Sequence, residues 1–583
     1  MRLGMTLGIL ILAVGSLSPA QDLQPPPEQA PAQEPPPAAP ATLTTVQGVV
    51  RNGATGAPLP RTLVQIEGSQ IAALTNGEGR FELTGVAVGP QIIRLRKPGF
   101  LDRPYATEDV DYQGDGPAHS VLVAVETPEL NFTLTPTSAI RGHIELSTGD
   151  PAEGIQISLL KQVIRNGRAV WKQNGITKTN GSGSYRFAGL PSGVYALFTQ
   201  PTMENEAAAV AKGAKIALSG YPSVFYPEAR EFSGAARLRL KAGEQAEANL
   251  QLTQEPFYSV RATVSLPGGK PYDGVGYERG VIPSESAISV EVQDISGHAL
   301  AYSAKYDAQT RTVQADLPNG SYSLLAVSRF INVQMASNRP SEYLWGSAEF
   351  SVEGHAITNL RISLSTMPNW SIHLRAVRSS ESKASEELQM QVTVNASPAE
   401  PILAIGGDID ISSVVIGADL LELSRFTLGS EWLNTEVNGR SLCVVSFSAG
   451  GANLAREPLT VAPGTSPPPM ELTLRGDCSK LALTLPPALA DFLPGEEPFY
   501  TVYVVPDFDT TADIPPMTMH PSSGATLTVD GLTPGSYHVY VFNEPVRLEY
   551  RNPAALAALP TAGQQVTLSP GTTGNLMLEV PGR

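Results

Sequence analysis

The sequence predicts an all-β chain built as a string of tandem β-sandwiches, and three observations carry that prediction. A twenty-residue phrase from Thr75 to Arg94 (TNGEGRFELTGVAVGPQIIR) recurs without a gap from Thr179 to Phe198 (TNGSGSYRFAGLPSGVYALF). A second pattern, an alternating strand, a glycine-containing turn and a final alternating strand, recurs five times, at 121–134, 237–252, 350–364, 459–474 and 566–580. Finally, 53 Gly and 50 Pro punctuate the 583 residues, while helical periodicity is confined to Glu204–Ala214 and Asn552–Leu559. Hydrophobic residues make up 42% and charged residues 16%, enough to bury cores rather than leave the chain disordered.

At the N-terminus, Arg2 supplies a positive charge, Leu7 to Leu17 an apolar run, and Ser18 and Ala20 the small residues that signal peptidase requires. Residues 1–20 therefore read as a signal peptide. The apolar run is shorter than the ~20 residues a membrane helix needs, and no second such run follows. The expected mature protein is extracytoplasmic, periplasmic or secreted, without a transmembrane segment. Residues 21–43, dominated by Pro, Ala, Gln and Glu, read as a disordered Pro-rich linker of polyproline II character.

Within each copy of the phrase, Asn76-Gly77 with Gly79 and Asn180-Gly181 with Gly183 put residues tolerant of positive φ in a first turn. Alternating Phe81 and Leu83, or Tyr185 and Phe187, then mark a strand, and a second turn ends at Gly89 or Gly193. The phrase reads as a hairpin. Its second turn returns at Leu317–Tyr322 and Gly531–Tyr537, each with an aromatic one strand-step after glycine, as Tyr195 follows Gly193. In the fourth unit it decays to Asn438–Leu442. The five endings divide the chain into units at 44–136, 137–254, 255–365, 366–475 and 476–583. Short junctions at Pro136, Gln254 and Met367 predict limited hinge freedom.

The first unit orders Thr45–Val50, a Gly-Ala-Pro-Leu-Pro turn, Val64-x-Ile66, Thr75-Asn76-x-x-Gly79-x-Phe81 and a glycine-bounded strand pair. This order resembles the carboxypeptidase regulatory-like domain from Thr44 to about Leu134, and again from Ala139 to Phe198. Asn76 and Asn180 stand where that family commonly has Asp, a change the turn tolerates. The resemblance implies an Ig-like or prealbumin-like β-sandwich, related to carbohydrate-binding-like folds. In the second unit, YPSVFYPEAREFSGAARLRLKAGE resembles a phrase found in multidomain exported bacterial proteins that carry this domain.

A metallocarboxypeptidase would need His-x-x-Glu and a distant His to hold zinc and leave a position for water. None of the seven histidines has Glu three residues on, and they are spread one or two per unit. No nucleophile elbow or phosphate loop appears, so a non-enzyme is expected. A net charge of −16 without a Lys/Arg cluster argues against nucleic acid and anionic membranes as partners.

Cys443 and Cys478, an even pair in an exported chain, are expected to form a disulfide. Acidic loops at Asp109–Asp115, Asp408–Asp410 and Asp507–Asp509 with Asp513 read as solvated turns. Calcium is the one cofactor they suggest, although Ser120 stands where a bidentate Glu would close the first cage. Among Trp171, Trp345, Trp370 and Trp432, with Tyr221, Phe225 and Tyr226, only Trp171 has neighbours that look solvent-facing, Lys172, Gln173 and Asn174. It is the candidate glycan contact, in a predicted loop. The expected function is a non-enzymatic cell-surface or periplasmic scaffold with a protein or polysaccharide partner. The alternative is a carbohydrate-binding protein using an exposed aromatic site.

Overall fold

A computed structural model of the chain describes residues 42–101, 118–165, 167–204, 218–265, 288–295, 299–307, 309–328, 344–366, 468–486, 500–508, 516–519, 526–543 and 546–580. Between 372 and 461 it describes 372–377, 390–394, 397–398, 426–428, 433–437, 440–441, 443–454 and 459–461. Leu43–Arg583 forms one compact unit, distinct from Met1–Thr42. The signal-peptide reading and all but the end of the linker lie outside the described residues. We refer to the five stretches from residue 43 onward as modules one to five.

Module one shows the plan. One sheet orders the strands Arg80–Ala87, Leu43–Asn52, Leu130–Pro136 and Phe100–Leu101, and the other Ala72–Leu74, Leu63–Ile66, Gly89–Arg96 and Ala118–Val123. Because side chains alternate along a strand, Val46, Val50, Phe81, Leu83, Phe132 and Leu134 from the first sheet meet Val64, Ile66, Ile93, Leu95, Val121 and Val123 from the second in one core. Modules two, three and five repeat the plan with cores of their own. The described strands of module four form one four-stranded and two three-stranded sheets.

In every module the first strand pairs in parallel with a closing strand. Leu43–Asn52 pairs with Leu130–Pro136, and Ser138–Leu146 with Gln245–Glu247 and Leu250–Leu252. Glu255–Ser265 pairs with Ile357–Ser363, Ile372–Val377 with Met470–Arg475, and Ser479–Thr484 with Thr573–Met577.

The repeated phrase is not the hairpin that its glycines predict. Arg80–Ala87 pairs with the first strand, whereas Gly89–Arg96 pairs with Leu63–Ile66 and Ala118–Val123 in the opposite sheet. Ser184–Leu190 and Gly193–Thr199 divide between sheets in the same way, as do Thr312–Leu317 and Gly320–Ser328, and Thr526–Leu532 and Gly535–Phe542. The phrase is an arch that carries the chain from one layer to the other. Two strands joined by a glycine turn have the same periodicity whether the second folds back in plane or crosses over, so the pattern located the strands and not their partners. The bend itself comes from a bulge in the strand before the arch. Thr44 and Thr45 face Val86 and Thr84, skipping Gly85, and Gly189 and Gly531 lie at the matching register shifts. All three glycines have left-handed φ, +78°, +73° and +75°.

Two neighbouring modules share a sheet. Leu218–Tyr221 pairs with Thr202–Met203 and also, antiparallel, with the start of Glu255–Ser265, so a strand from the predicted second unit extends the third unit's sheet across 254/255. The helical patterning at Asn552–Leu559 is a short helix, Pro553–Ala557, whose N-cap Asn552 accepts from the amides of Ala554 and Ala555. Of the predicted Glu204–Ala214 helix, only Glu204 is described.

Candidate functional site

The Thr-Asn-Gly-x-Gly turn is the most polar part of the repeat, and its side chains are bonded into the backbone. Thr179 Oγ1 donates to the Ala152 carbonyl at 2.5 Å and accepts from the Ile155 amide at 2.9 Å. Thr75 does the same with Leu59 O (2.5 Å) and Thr62 N (2.8 Å). Asn180 Oδ1 accepts from the amides of Ser182 (3.1 Å) and Ser184 (2.9 Å), and Asn76 Oδ1 from those of Glu78 and Arg80, both at 2.9 Å. The turn uses only an acceptor oxygen, which Asn supplies as well as Asp would. Thr179→Val keeps the shape and strands a buried carbonyl and a buried amide. It is expected to cost about 2–3 kcal/mol in urea unfolding of the module.

The two glycines of the turn have different duties. Gly79 and Gly183 have φ of +74° and +75°, and a Cβ on either would lie 2.5 Å from a backbone carbonyl, of Val50 or Ile144. Gly77 has nothing within 4 Å of such a Cβ, and the nearest atom at Gly181 is 3.7 Å away. Gly183→Ala is therefore expected to destabilise by about 2–3 kcal/mol. Gly181→Ala, two residues away, should stay within about 0.5 kcal/mol of the parent in the same measurement.

Past Gly89 and Gly193 the arch is closed by a side chain. Tyr195 Oη donates to the Pro191 carbonyl at 2.7 Å, Tyr322 to that of Pro318 at 3.1 Å, and Tyr537 to that of Thr533. Module one has no tyrosine here, and Gln91 Nε2 takes the role, donating to Ala87 O at 3.0 Å. The bond always reaches four residues back, across the turn between the layers. The recurring Gly-x-Tyr was visible in the sequence, but the carbonyl it seeks was not.

Trp171 lies on the strand Arg168–Lys178 rather than in a loop. That strand pairs antiparallel with Gln156–Arg165 along its whole length, a long hairpin that the Asn-Gly in the sequence between the two strands signals. The indole is partly buried, with Phe232 edge-on at 5.3 Å and the Arg237 guanidinium 4.7 Å from the ring centroid. Phe232 comes from the YPSVFYPEAREFSG phrase, which packs Phe225 and Phe232 with Phe198, Ala196 and Leu160 on the outer face of the sheet. Ala299 of module three closes this cluster, and Arg230 pairs with Glu255 beside it. The phrase therefore joins modules two and three, and Trp171 is spent in that joint. Trp345 lies on the strand Leu344–Val352, and Trp370 and Trp432 are outside the described residues.

Cys443 and Cys478 form a disulfide. Cys443 opens the strand Cys443–Ala449 of module four, and Cys478 immediately precedes Ser479–Thr484 of module five. Between the modules, Arg475 grips Asp477 through two bonds of 2.6 and 2.8 Å. The guanidinium holds the Asp477 carboxyl below the usual carboxylate range. A carboxyl depressed in this way stabilises the fold above its unfolded pKa, and that contribution is lost as pH falls through the folded value. Thr533 Oγ1, from the module-five arch, donates to the Val444 carbonyl at 2.9 Å, and the Gly571 amide to Asp477 O at 2.9 Å. A contact between modules distant in sequence adds to these. The Arg551 amide donates to Gly167 O at 3.1 Å, and the Tyr550 ring occupies the space a Cβ on Gly167 would need.

The Asp109–Asp115 and Asp408–Asp410 loops, with Asp509 and Asp513, lie outside the described residues. Asp507 is engaged by His538 Nδ1. His119 packs on Phe132 at 4.8 Å, His143 faces Glu145 at 3.4 Å, and His355 Nδ1 meets Glu353 O at 2.9 Å. Among the described residues no three His, Cys, Asp or Glu side chains gather as a metal site, and no helix is long and apolar enough to cross a membrane.

No curated protein matches the chain. Among solved structures, the Bacillus anthracis TIE protein is 13% identical over 55% of this chain and 51% of its own, with a TM-score of 0.16. The present chain thus spans about half the length of that protein. A streptococcal ancillary pilin is 11% identical, covering 55% of this chain and 98% of its own at a TM-score of 0.18. The shaft pilin SpaA of Lactobacillus rhamnosus GG is 8% identical, covering 40% and 99% at 0.13. Residues 45–135 match the family model of the carboxypeptidase regulatory-like domain, which identifies module one as a domain of that kind.

Proposed function

We propose that the chain is a non-enzymatic, exported scaffold whose sandwiches hold partner contacts at fixed spacing on the cell surface or in the periplasm. The observation that carries this reading is the use made of the repeated polar residues. Thr179, Asn180, Tyr195 and their counterparts bond to backbone that shapes turns and arches, and Arg230, Glu255, Arg475 and Asp477 fix junctions. Repetition of residues that hold architecture is what a spacer requires, whereas a catalyst requires a convergent cluster. The carbohydrate-binding alternative gains nothing from Trp171, whose ring already packs against Phe232 and Arg237.

The test is protease shaving of intact cells with N-terminal sequencing of the released protein, alongside affinity electrophoresis in soluble polysaccharides. The scaffold reading expects a surface or periplasmic chain beginning after Ala20 and no retardation by glycans. A cytoplasmic protein retaining residues 1–20 would overturn it. Retardation abolished by Trp171→Ala in a chain of unchanged melting temperature would replace it with the carbohydrate-binding reading.

A further inference from the structure

We infer that the modules are built to bear tension applied along the chain. The inference rests on backbone pairing and is independent of which partner the scaffold holds. In each module the opening strand lies beside a closing strand that runs in the same direction, so the entry and exit points of the pair lie at its opposite ends. Pulling them apart slides one strand along the other. All the hydrogen bonds of the pair are then loaded together, whereas pulling from one end would break them in turn.

The ladders are bonded out to their ends. Lys480 N donates to Thr572 O at 2.9 Å and Leu578 N to Thr484 O at 2.8 Å in module five. In module two the Ala139 amide donates to Glu244 O at 3.0 Å and the Ser147 amide to Leu252 O at 2.8 Å. Leu364 N to Ser265 O in module three and Gly53 N to Leu134 O in module one extend their pairs in the same way, at 2.8 and 2.9 Å.

Tension also reaches each pair directly. Thr137 alone separates Pro136, the last residue of module one's closing strand, from Ser138, the first residue of the next module's opening strand. Leu252 leads into Glu255, and Arg475 into Ser479, after similarly brief turns. At the last junction the disulfide spans a separation of 35 residues and prevents that stretch from paying out. Five repeats of one pairing, joined almost strand to strand at these three junctions, form a series of shear-loaded clamps.

Single-molecule force spectroscopy on the full chain tests this with handles that leave the ladder intact. Lys480, Thr573 and Met577 are all exposed, Lys480 opposes Thr573, and Met577 lies at the far end of the same pair. Handles on K480C and M577C pull the pair in shear, and handles on K480C and T573C peel it from one end. Both variants are first checked for the parent melting temperature. The expected result is a several-fold higher rupture force in shear, with end-to-end pulling of the chain unfolding module five in the higher class. Equal forces in the two geometries, or end-to-end rupture at the peeling force, overturn the inference.

Discussion

Gly142→Ala is expected to destabilise module two by about 4 kcal/mol or more, enough to leave it largely unfolded in a marginally stable domain. Gly142 lies on the opening strand opposite Tyr185. A Cβ there would stand 1.9 Å from the Ala248 carbonyl oxygen and 2.7 Å from both Cε1 and Oη of Tyr185. That carbonyl is the acceptor of the Tyr185 hydroxyl, and burial pushes the hydroxyl's pKa up, so the proton stays in place to donate. Neither obstacle can retreat, because Ala248 is fully buried and its own amide donates to Arg141 O at 2.8 Å. The aromatic ring covers the glycine, so one methyl group meets a ring and a backbone together.

The same arrangement recurs in module one, where a Cβ on Gly48 would meet Leu130 O and the Phe81 ring, both at 2.5 Å. Gly48→Ala should therefore behave alike, and Gly77→Ala, with open space around it, serves as the control. Urea unfolding followed by limited proteolysis reads all three. A Gly142→Ala chain within about 1 kcal/mol of the parent would show that the ring and carbonyl do not close over this strand.

Replacing Cys443 and Cys478 together by serine is expected to cost about 3–4 kcal/mol in module four and its junction with module five, the chain-entropy value for a closed loop of this size. The bond spans 35 residues that include the closing strand Met470–Arg475. Without it the unfolded chain regains the freedom of that loop, while the folded chain still has the Arg475–Asp477 pair and the Thr533 contact to hold the junction. The loss should appear as an earlier urea transition, and reduction of the parent should reproduce it. Free thiols titrating in the unreduced folded protein would contradict the bridge.

Much of this architecture was legible in the sequence. Alternation located strands such as Leu43–Asn52 and Leu130–Pro136, the small gap between Pro136 and Ser138 marked a module border, and the cysteine pair pointed to its bond. What stayed hidden were facts about partners. Alternation says which face of Gly89–Arg96 is buried but not which sheet it joins, so an arch was read as a hairpin. Lys172 and Asn174 are exposed along the same strand as Trp171, and a short polar window of that kind cannot be separated from a loop. The aromatics Phe225 and Phe232 carry no period, so nothing local placed them over Trp171's sheet. Gly79 and Gly77 look alike as letters and differ only through a carbonyl brought near one of them by a distant strand.

The parallel pairing of opening and closing strands also sets the order of events while the chain is being made. Gly48 waits for Leu130, and Lys480 for Thr573. No module can complete its first sheet until nearly all of its residues have been synthesised, and contacts this far apart in sequence form slowly. A nascent chain with such a requirement stays open until its last strand has been made, and each sandwich closes only when that strand reaches the first.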